Sequence, residues 1–244
     1  KHILIVSSEL FSLINFRTSL IEHLIDTGSR VSVLVPLENK KVEKKIQKLI
    51  SKGVVFKNYS LSRTGLNPFT DYLSYKSIVK VISELNPDIV IPYTAKPIIY
   101  TGIALRNFPK LKFFPIITGL GYGFTQGNGI KRKLIQQLMI FLYREGLKRS
   151  EVVMFQNIDD EKVFFKLKII NKKISTNIIN GSGVDLNLFP FSKPSKKPIF
   201  LMLARLLVDK GVREYVEAAK IVKAKFPKVV FQLAGRLDSN PSSI

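Results

Sequence analysis

Residues His2 to Gly28 read HILIVSSELFSLINFRTSLIEHLIDTG, and this stretch decides the fold. HILIVS is apolar on consecutive positions, as expected of a strand covered on both faces. From about Asn15 to Asp26 the apolar residues Phe16, Leu20, Ile21, Leu24 and Ile25 recur at helical spacing. Gly28 follows where a helix end favours glycine. The joining loop, SSELFSLINFR, has no glycine, so the G-x-G-x-x-G turn of a dinucleotide-binding unit is absent. The unit is a strand, a loop and a helix, and it argues against NAD or FAD.

Outward from there the alternation continues. VSVLVP and VVFKNY read as strands flanking a basic helix in NKKVEKKIQKLISKG. DYLSYKSIVKVISEL is a helix, NPDIVIPY turns into a fourth strand, and KPIIYTGIALRNF is a short helix. KFFPIIT is a fifth strand, KRKLIQQLMIFLYREGLKRS a long helix and EVVMFQN a sixth strand. A short helix starts at DDEKVFF, and STNIIN is a further strand. Regular strand–helix alternation predicts a doubly wound α/β parallel sheet. LFPFSKPSKKP then interrupts it with three prolines, two serines and three lysines, a linker composition. The pattern restarts with IFLMLA, GVREYVEAAKIVKAKF and KVVFQLAG. This divides the protein into residues 1–189, a linker over 190–197, and the start of a second α/β domain over 198–244. One βαβ unit cannot cover both faces of its own sheet, and domains normally need ~100 residues. The second domain is therefore expected to be incomplete, and the polypeptide truncated at its C-terminus.

The 244 residues carry 39 basic and 18 acidic side chains, a net charge of +21. Such an excess favours an anionic partner, although an AT-rich genome, which encodes much lysine, would produce part of it. Cysteine is absent, which removes disulfides and thiolate chemistry, and with only His2 and His23 no metal-ligand cluster is visible. No apolar run reaches the ~18 residues that span a bilayer, and the first residues lack a signal-peptide pattern. These features point to the cytoplasm. Nucleic acid is an unsupported partner, because neither an aromatic stacking motif nor a recognition helix is evident.

Ligands of open parallel sheets bind at the carboxyl ends of the strands. Asn15 and Arg17 stand there at an expected helix start, where free N–H groups favour anions, with a simple N-cap as the alternative for Asn15. After the fourth strand come Tyr93, Thr94 and Lys96, hydroxyls and a cation suited to a sugar or phosphate, or a solvated loop. After the fifth come Thr118, Gly119 and Gly121, followed by Gly123, where backbone can approach a ligand closely. NGSGVD reads as a tight turn, and Asp159 and Asp160 as helix-start acids. In the second domain Arg205 ends a strand and Lys210 and Gly211 precede a helix, together a cradle for a diphosphate.

LARLLVDKGVREYVEAA resembles the G/A-R-L-x-x-x-K-G signature of family 4 glycosyltransferases of the GT-B fold. INFRTSLIEHLIDTG, NPDIVIPYTAKPIIYTGIA, ITGLGYGFT, VMFQNIDDEKVF and NGSGVDLNLF are similar, in the same order, to the branch adding N-acetylhexosamine to undecaprenyl-diphosphate-linked sugars. The resemblance implies two Rossmann-like domains, the second present only as its first βαβ unit. It implies retaining, metal-independent transfer from a UDP-sugar in surface polysaccharide or glycan synthesis, with no cofactor. Arg205 and Lys210 would hold the donor diphosphate. Asn15, Arg17, Tyr93, Thr94, Lys96, Thr118, Gly119 and Gly121 would line the acceptor side or cleft. The histidine that many members carry at the end of the fifth strand is replaced by Thr118 and Gly119, so the catalytic residue is unassigned. The glutamate-rich donor motif is not reached before Ile244, so this polypeptide alone is expected to transfer no sugar. The alternative is a non-catalytic acceptor- or partner-binding half completed by a separate polypeptide.

The helix around KRKLIQQLMIFLYREGLKRS has basic ends, with Lys131, Arg132 and Lys133 at one and Arg144, Lys148 and Arg149 at the other. It suits peripheral contact with an anionic membrane on the inner face of the plasma membrane. Its apolar middle suits burial in the core equally well.

Overall fold

The computed structural model describes residues 1–37, 44–62, 65, 67–121, 124 and 129–235. The protein divides into two compact units, Lys1–Asp185 and Leu186–Ile244. In the first, strands β1 (His2–Val6), β2 (Arg30–Leu34), β3 (Val55–Lys57), β4 (Ile89–Pro92) and β5 (Lys112–Phe113) form a parallel sheet of order β3-β2-β1-β4-β5. Strands β6 (Ile116–Ile117), β7 (Val152–Phe155) and β8 (Ser175–Ile178) form a second parallel set. A bridge between Tyr93 and Ile116 joins the two.

The apolar runs form strands because alternate residues enter two different cores. Leu4 and Val6 face one cluster, with Ile78, Ile99, Phe113, Tyr143 and Phe164. Ile3 and Ile5 face another, with Leu13, Ile21, Val33 and Leu49. Burial on both faces is what a doubly wound sheet requires, and alternating polarity would have been incompatible with it. Helices α1 (Leu10–Phe16), α2 (Thr18–Asp26) and α3 (Lys44–Ser51) supply residues to the second cluster; α4 (Pro68–Leu85), α5 (Ala95–Ala104), α6 (Ile130–Leu147) and α7 (Ile158–Lys166) supply the first. Helices α5 and α6 cross at two glycines: a Cβ on Gly102 would lie 1.7 Å from the Gly146 carbonyl oxygen.

Several boundaries differ from the sequence reading. The single helix expected from Asn15 is two helices that meet at Arg17, whose φ of −129° and ψ of −4° interrupt the coil. Helix α4 starts three residues before the expected position. Pro68 occupies its first turn, and the Asn67 side chain accepts from the Phe69 N–H at 3.0 Å. The fifth strand is broken by Pro115, which has no N–H to give the ladder. Residues 39–43 of the expected basic helix, together with Tyr122, Gly123 and the tail from Arg236, lie outside the described residues.

In the second unit, β9 (Ile199–Leu203) and β10 (Val230–Ala234) pair in parallel around α8 (Val212–Lys225). The Tyr215 hydroxyl lies 2.9 Å from the Phe200 carbonyl and 2.8 Å from that of Gln232, pinning the helix over both strands. Leu201 and Leu203 remain 59% and 79% exposed, so apolar strand surface stays uncovered. Residues 186–198 contain neither helix nor strand.

Candidate functional site

The carboxyl ends of β1, β4, β7 and β8 bring four loops together within the first unit. Ser7 continues β1 and is fully buried. Its backbone N–H donates to Leu34, and its hydroxyl lies 2.6 Å from the Tyr93 phenol oxygen. The Tyr59 hydroxyl donates to the Ser7 carbonyl at 2.8 Å. Tyr93 is 1% exposed, and its backbone N–H donates to Val6. Burial raises the Tyr93 phenol above its usual pKa, against the opposing influence of Ser7, Ser12 and Arg17, so it remains a neutral hydroxyl.

Arg17 lies over the Tyr93 ring, 4.7 Å from guanidinium carbon to centroid. It is 5% exposed. One terminal nitrogen donates to the Phe16 carbonyl at 2.9 Å and to the Ser182 hydroxyl at 2.6 Å. The Nε is buried without a hydrogen-bond partner. Burial disfavours its charge, and the opposing influence is the Tyr93 phenol. Ser182 comes from the loop after β8, and Gln156, at the end of β7, points its Nε2 at the same hydroxyl at 3.3 Å. The ring face and the carbonyl partly compensate the guanidinium, and its fork stays suited to an oxyanion.

Thr94 follows Tyr93 with φ +68° and ψ 157°, backbone that a threonine adopts only under strain, and its hydroxyl donates to Ser8 at 2.9 Å. Beyond β6, Thr118 is half-buried, and Gly119 (φ +141°) and Gly121 (φ +76°) use the freedom of glycine.

Two expected site residues are placed differently. Asn15 does not start a helix. It sits in the last turn of α1, where its side chain donates to the Phe11 carbonyl at 2.8 Å. Lys96 lies in the first turn of α5 and forms an ion pair with Asp71 on α4 at 2.7 Å, with both side chains 12% exposed. A mostly buried carboxylate takes that cation away from the loop. Asp159 and Asp160 lie in the first turn of α7, where Asn157 provides the cap by accepting from the Asp160 N–H at 2.7 Å. Ser7, Tyr59, Gln156 and Ser182 escaped the sequence reading. A serine directly after an apolar strand was the one available signal for Ser7.

In the second unit Arg205 follows β9 and Lys210 closes a short 3-10 turn. Both are exposed, and Gly211 at φ +76° leads into α8.

Helices α4, α5 and α6 border an open groove of about 350 Å³, lined by residues that include Tyr72, Tyr75, Tyr100, Ile103, Leu138 and Leu142. Around it Phe69, Tyr72 and Leu73 of α4 and Ile130, Leu134, Leu138 and Phe141 of α6 are exposed. The opposite stripe of α6, Ile140, Tyr143 and Leu147, is buried. The cations at the far end of α6 have structural work. Arg144 donates to the Leu167 and Lys168 carbonyls, Arg149 to those of Leu105 and Pro109, and Lys148 pairs with Glu145. That half of the basic cluster is therefore less available than the sequence implied. Among the described residues no helix is long and apolar enough to cross a membrane.

The chain is 31% identical, over 95% of its length, to the N,N'-diacetylbacillosaminyl-diphospho-undecaprenol alpha-1,3-N-acetylgalactosaminyltransferase of Campylobacter jejuni, and spans 62% of that relative. Among solved structures it is similar to sucrose-phosphate synthase of Thermosynechococcus elongatus, with TM-score 0.69, 15% identity, and coverage of 98% of this protein and 63% of that one. It is also similar to the UDP-GlcNAc 2-epimerase of Neisseria meningitidis bound to UDP-GlcNAc, with TM-score 0.59, 12% identity, and coverage of 98% and 66%. At these identities the structural likenesses show the fold alone, and that fold is GT-B. The glycosyl transferase 4-like family pattern matches residues 4–157, and the protein belongs to that family.

Proposed function

We propose that the protein serves the transfer of an N-acetylhexosamine from a UDP-sugar to a saccharide carried on undecaprenyl diphosphate, with retention of configuration and without a metal. The observation that carries this reading is Arg17, a buried guanidinium over Tyr93 whose polar partners among the described residues are a carbonyl and a hydroxyl, not a carboxylate. Leaving a cation without a countercharge is costly unless a ligand supplies one, and both proposed substrates carry a diphosphate. Thr94, Thr118, Gly119 and Gly121 line the approach, and Arg205 and Lys210 take the donor diphosphate. The C. jejuni relative, named for a diphospho-undecaprenol substrate, supports the acceptor class.

Because this polypeptide alone is expected to transfer no sugar, the test measures its binding of UDP and of a polyprenyl-diphosphate acceptor. Arg17→Met is expected to weaken acceptor binding at least ~100-fold, and Arg205→Ala with Lys210→Ala to weaken UDP binding at least tenfold. Unchanged behaviour in both variants would refute the reading.

The exposed apolar stripes of α4 and α6 beside the groove suit a membrane surface where the lipid-linked acceptor resides. Co-sedimentation with phosphatidylglycerol vesicles tests this, and Leu134→Ser with Phe141→Ser should release the protein. In a second reading, favoured by the uncovered Leu201 and Leu203, the second unit accepts a separately encoded polypeptide. Affinity purification from the native cell, returning such a polypeptide or none, decides between them.

A further inference from the structure

The loop after β8 presents Ser182 between two glycines in left-handed conformation, Gly181 at φ +79° and Gly183 at φ +68°, with open space around both. The Gly181 N–H donates to the Ile179 carbonyl at 2.7 Å, which turns the backbone round at once. The turn delivers one hydroxyl oxygen to two donors from distant elements, Arg17 at 2.6 Å and Gln156 at 3.3 Å. A guanidinium and an amide converging on one oxygen form an arrangement suited to a phosphoryl oxygen. The oxygen present is instead neutral, and the Arg17 Nε beside it is buried and unpartnered. Ser182 itself is exposed, carried on a loop whose glycines permit more than one backbone path.

We propose that the Ser182 hydroxyl holds the place of a diphosphate oxygen, so that the Gly181–Ser182–Gly183 turn is a latch closed over an anion site made by Arg17 and Gln156. The inference rests on the reading of Arg17 as a diphosphate-binding residue and adds a competitor built into the protein. A diphosphate displaces the hydroxyl because its oxygens are charged and its bonds to the guanidinium are the stronger. Once displaced, the turn leaves Arg17 and the entrance opens. A diphosphate can come from a nucleotide donor or from a polyprenyl acceptor, and the latch chemistry is the same for both.

The test is calorimetric titration of the 244-residue protein with inorganic pyrophosphate, UDP and farnesyl diphosphate, in wild type, Ser182→Ala, Arg17→Met and Arg17→Lys. Removing the competing hydroxyl is expected to tighten pyrophosphate about fivefold, the equivalent of one hydrogen bond. UDP or farnesyl diphosphate should tighten with it, and the one that does identifies the source. Arg17→Met should abolish binding. Arg17→Lys, which keeps the charge and loses the fork, covers the case in which Arg17→Met fails to fold, and should weaken binding about tenfold. Hydrogen exchange at residues 181–183 should rise when pyrophosphate binds. If Ser182→Ala leaves affinity unchanged or weakens it while the Arg17 variants lose binding, the latch is wrong and the Arg17 reading survives. If the Arg17 variants bind as wild type, the underlying reading fails and the latch with it.

Discussion

Replacing Gly102 by alanine tests the packing that positions the site. The added Cβ would lie 1.7 Å from the Gly146 carbonyl oxygen and 2.6 Å from its carbon, where ordinary contact begins at 3.4 Å. Both atoms are backbone, so neither can rotate away, and helices α5 and α6 must separate by roughly an ångström or more. A radial gap of that size forfeits a quarter to a half of each dispersion contact across the crossing, where Ile99, Ile140, Tyr143 and Leu147 are buried. Overpacking of this kind costs about 3 kcal/mol, the upper end of its usual range. Better helix propensity returns about 1 kcal/mol. The net expectation is a loss of about 2 kcal/mol. Gly146→Ala is milder: its Cβ would meet the Ile99 Cα at 2.8 Å, and a loss of about 1 kcal/mol is expected after the same offset. Urea unfolding followed by circular dichroism reads both. A Gly102→Ala midpoint at or above wild type, or a Gly146→Ala cost exceeding it, would refute the reasoning. Helix α5 carries strained Thr94 at its head, so the Gly102 variant should also weaken pyrophosphate binding.

Two further outcomes follow from buried polar groups. His2 is 6% exposed, with Nδ1 2.6 Å from Arg30 and Nε2 2.8 Å from Ser32, and its pKa is lowered from 6.5 first by burial and then by Arg30. The unfolded state therefore takes up a proton below about pH 6.5 that the folded state refuses, so stability falls as pH drops from about 6.5 toward the depressed folded value. His2→Gln should flatten the dependence of Tm between about pH 7 and 5.5; an unchanged slope would contradict this. Lys96→Met, which strands the Asp71 carboxylate, should cost about 3 kcal/mol, and the double variant with Asp71→Asn should recover most of it; additive losses would show that the pair is not coupled.

The parts of the fold visible in the sequence are those carried by local pattern. Consecutive apolar residues announced strands buried on both faces, and Leu4 and Ile5 indeed enter different cores. Tyr93 and Thr94 could be singled out because strand ends are where parallel sheets bind ligands, and both follow β4 directly. What stayed hidden depends on distant partners. The apolar spacing from Phe16 to Ile25 runs through the break at Arg17 without a sign of it, while the Thr18 hydroxyl donates back to the Ile14 carbonyl at 2.7 Å within that turn. Lys96 looked like a ligand cation because Asp71, its partner, lies 25 residues earlier in another helix. Ser182 looked like turn filler because Arg17 is 165 residues away.

Arg17 and Thr94 belong to one energetic argument. The backbone of Thr94 costs on the order of 1–3 kcal/mol to hold, and a buried cation without a carboxylate costs more than one exposed to water. Each is adjacent to Tyr93, whose ring supports the guanidinium and whose backbone joins β1 to β6. A fold selected for stability alone would relieve the first with glycine and the second with a carboxylate, and the protein uses a carboxylate in that way a few residues on, at Lys96 with Asp71. Its use there shows that the fold can neutralise a buried cation on the same helix-bearing edge. The guanidinium at Arg17, which has no carboxylate partner among the described residues, then has a physical reason if its countercharge arrives with the ligand, because an acidic neighbour would compete with a diphosphate for the same fork. Arg17 binding pyrophosphate no better than Met at that position would remove that reason and leave the burial unexplained.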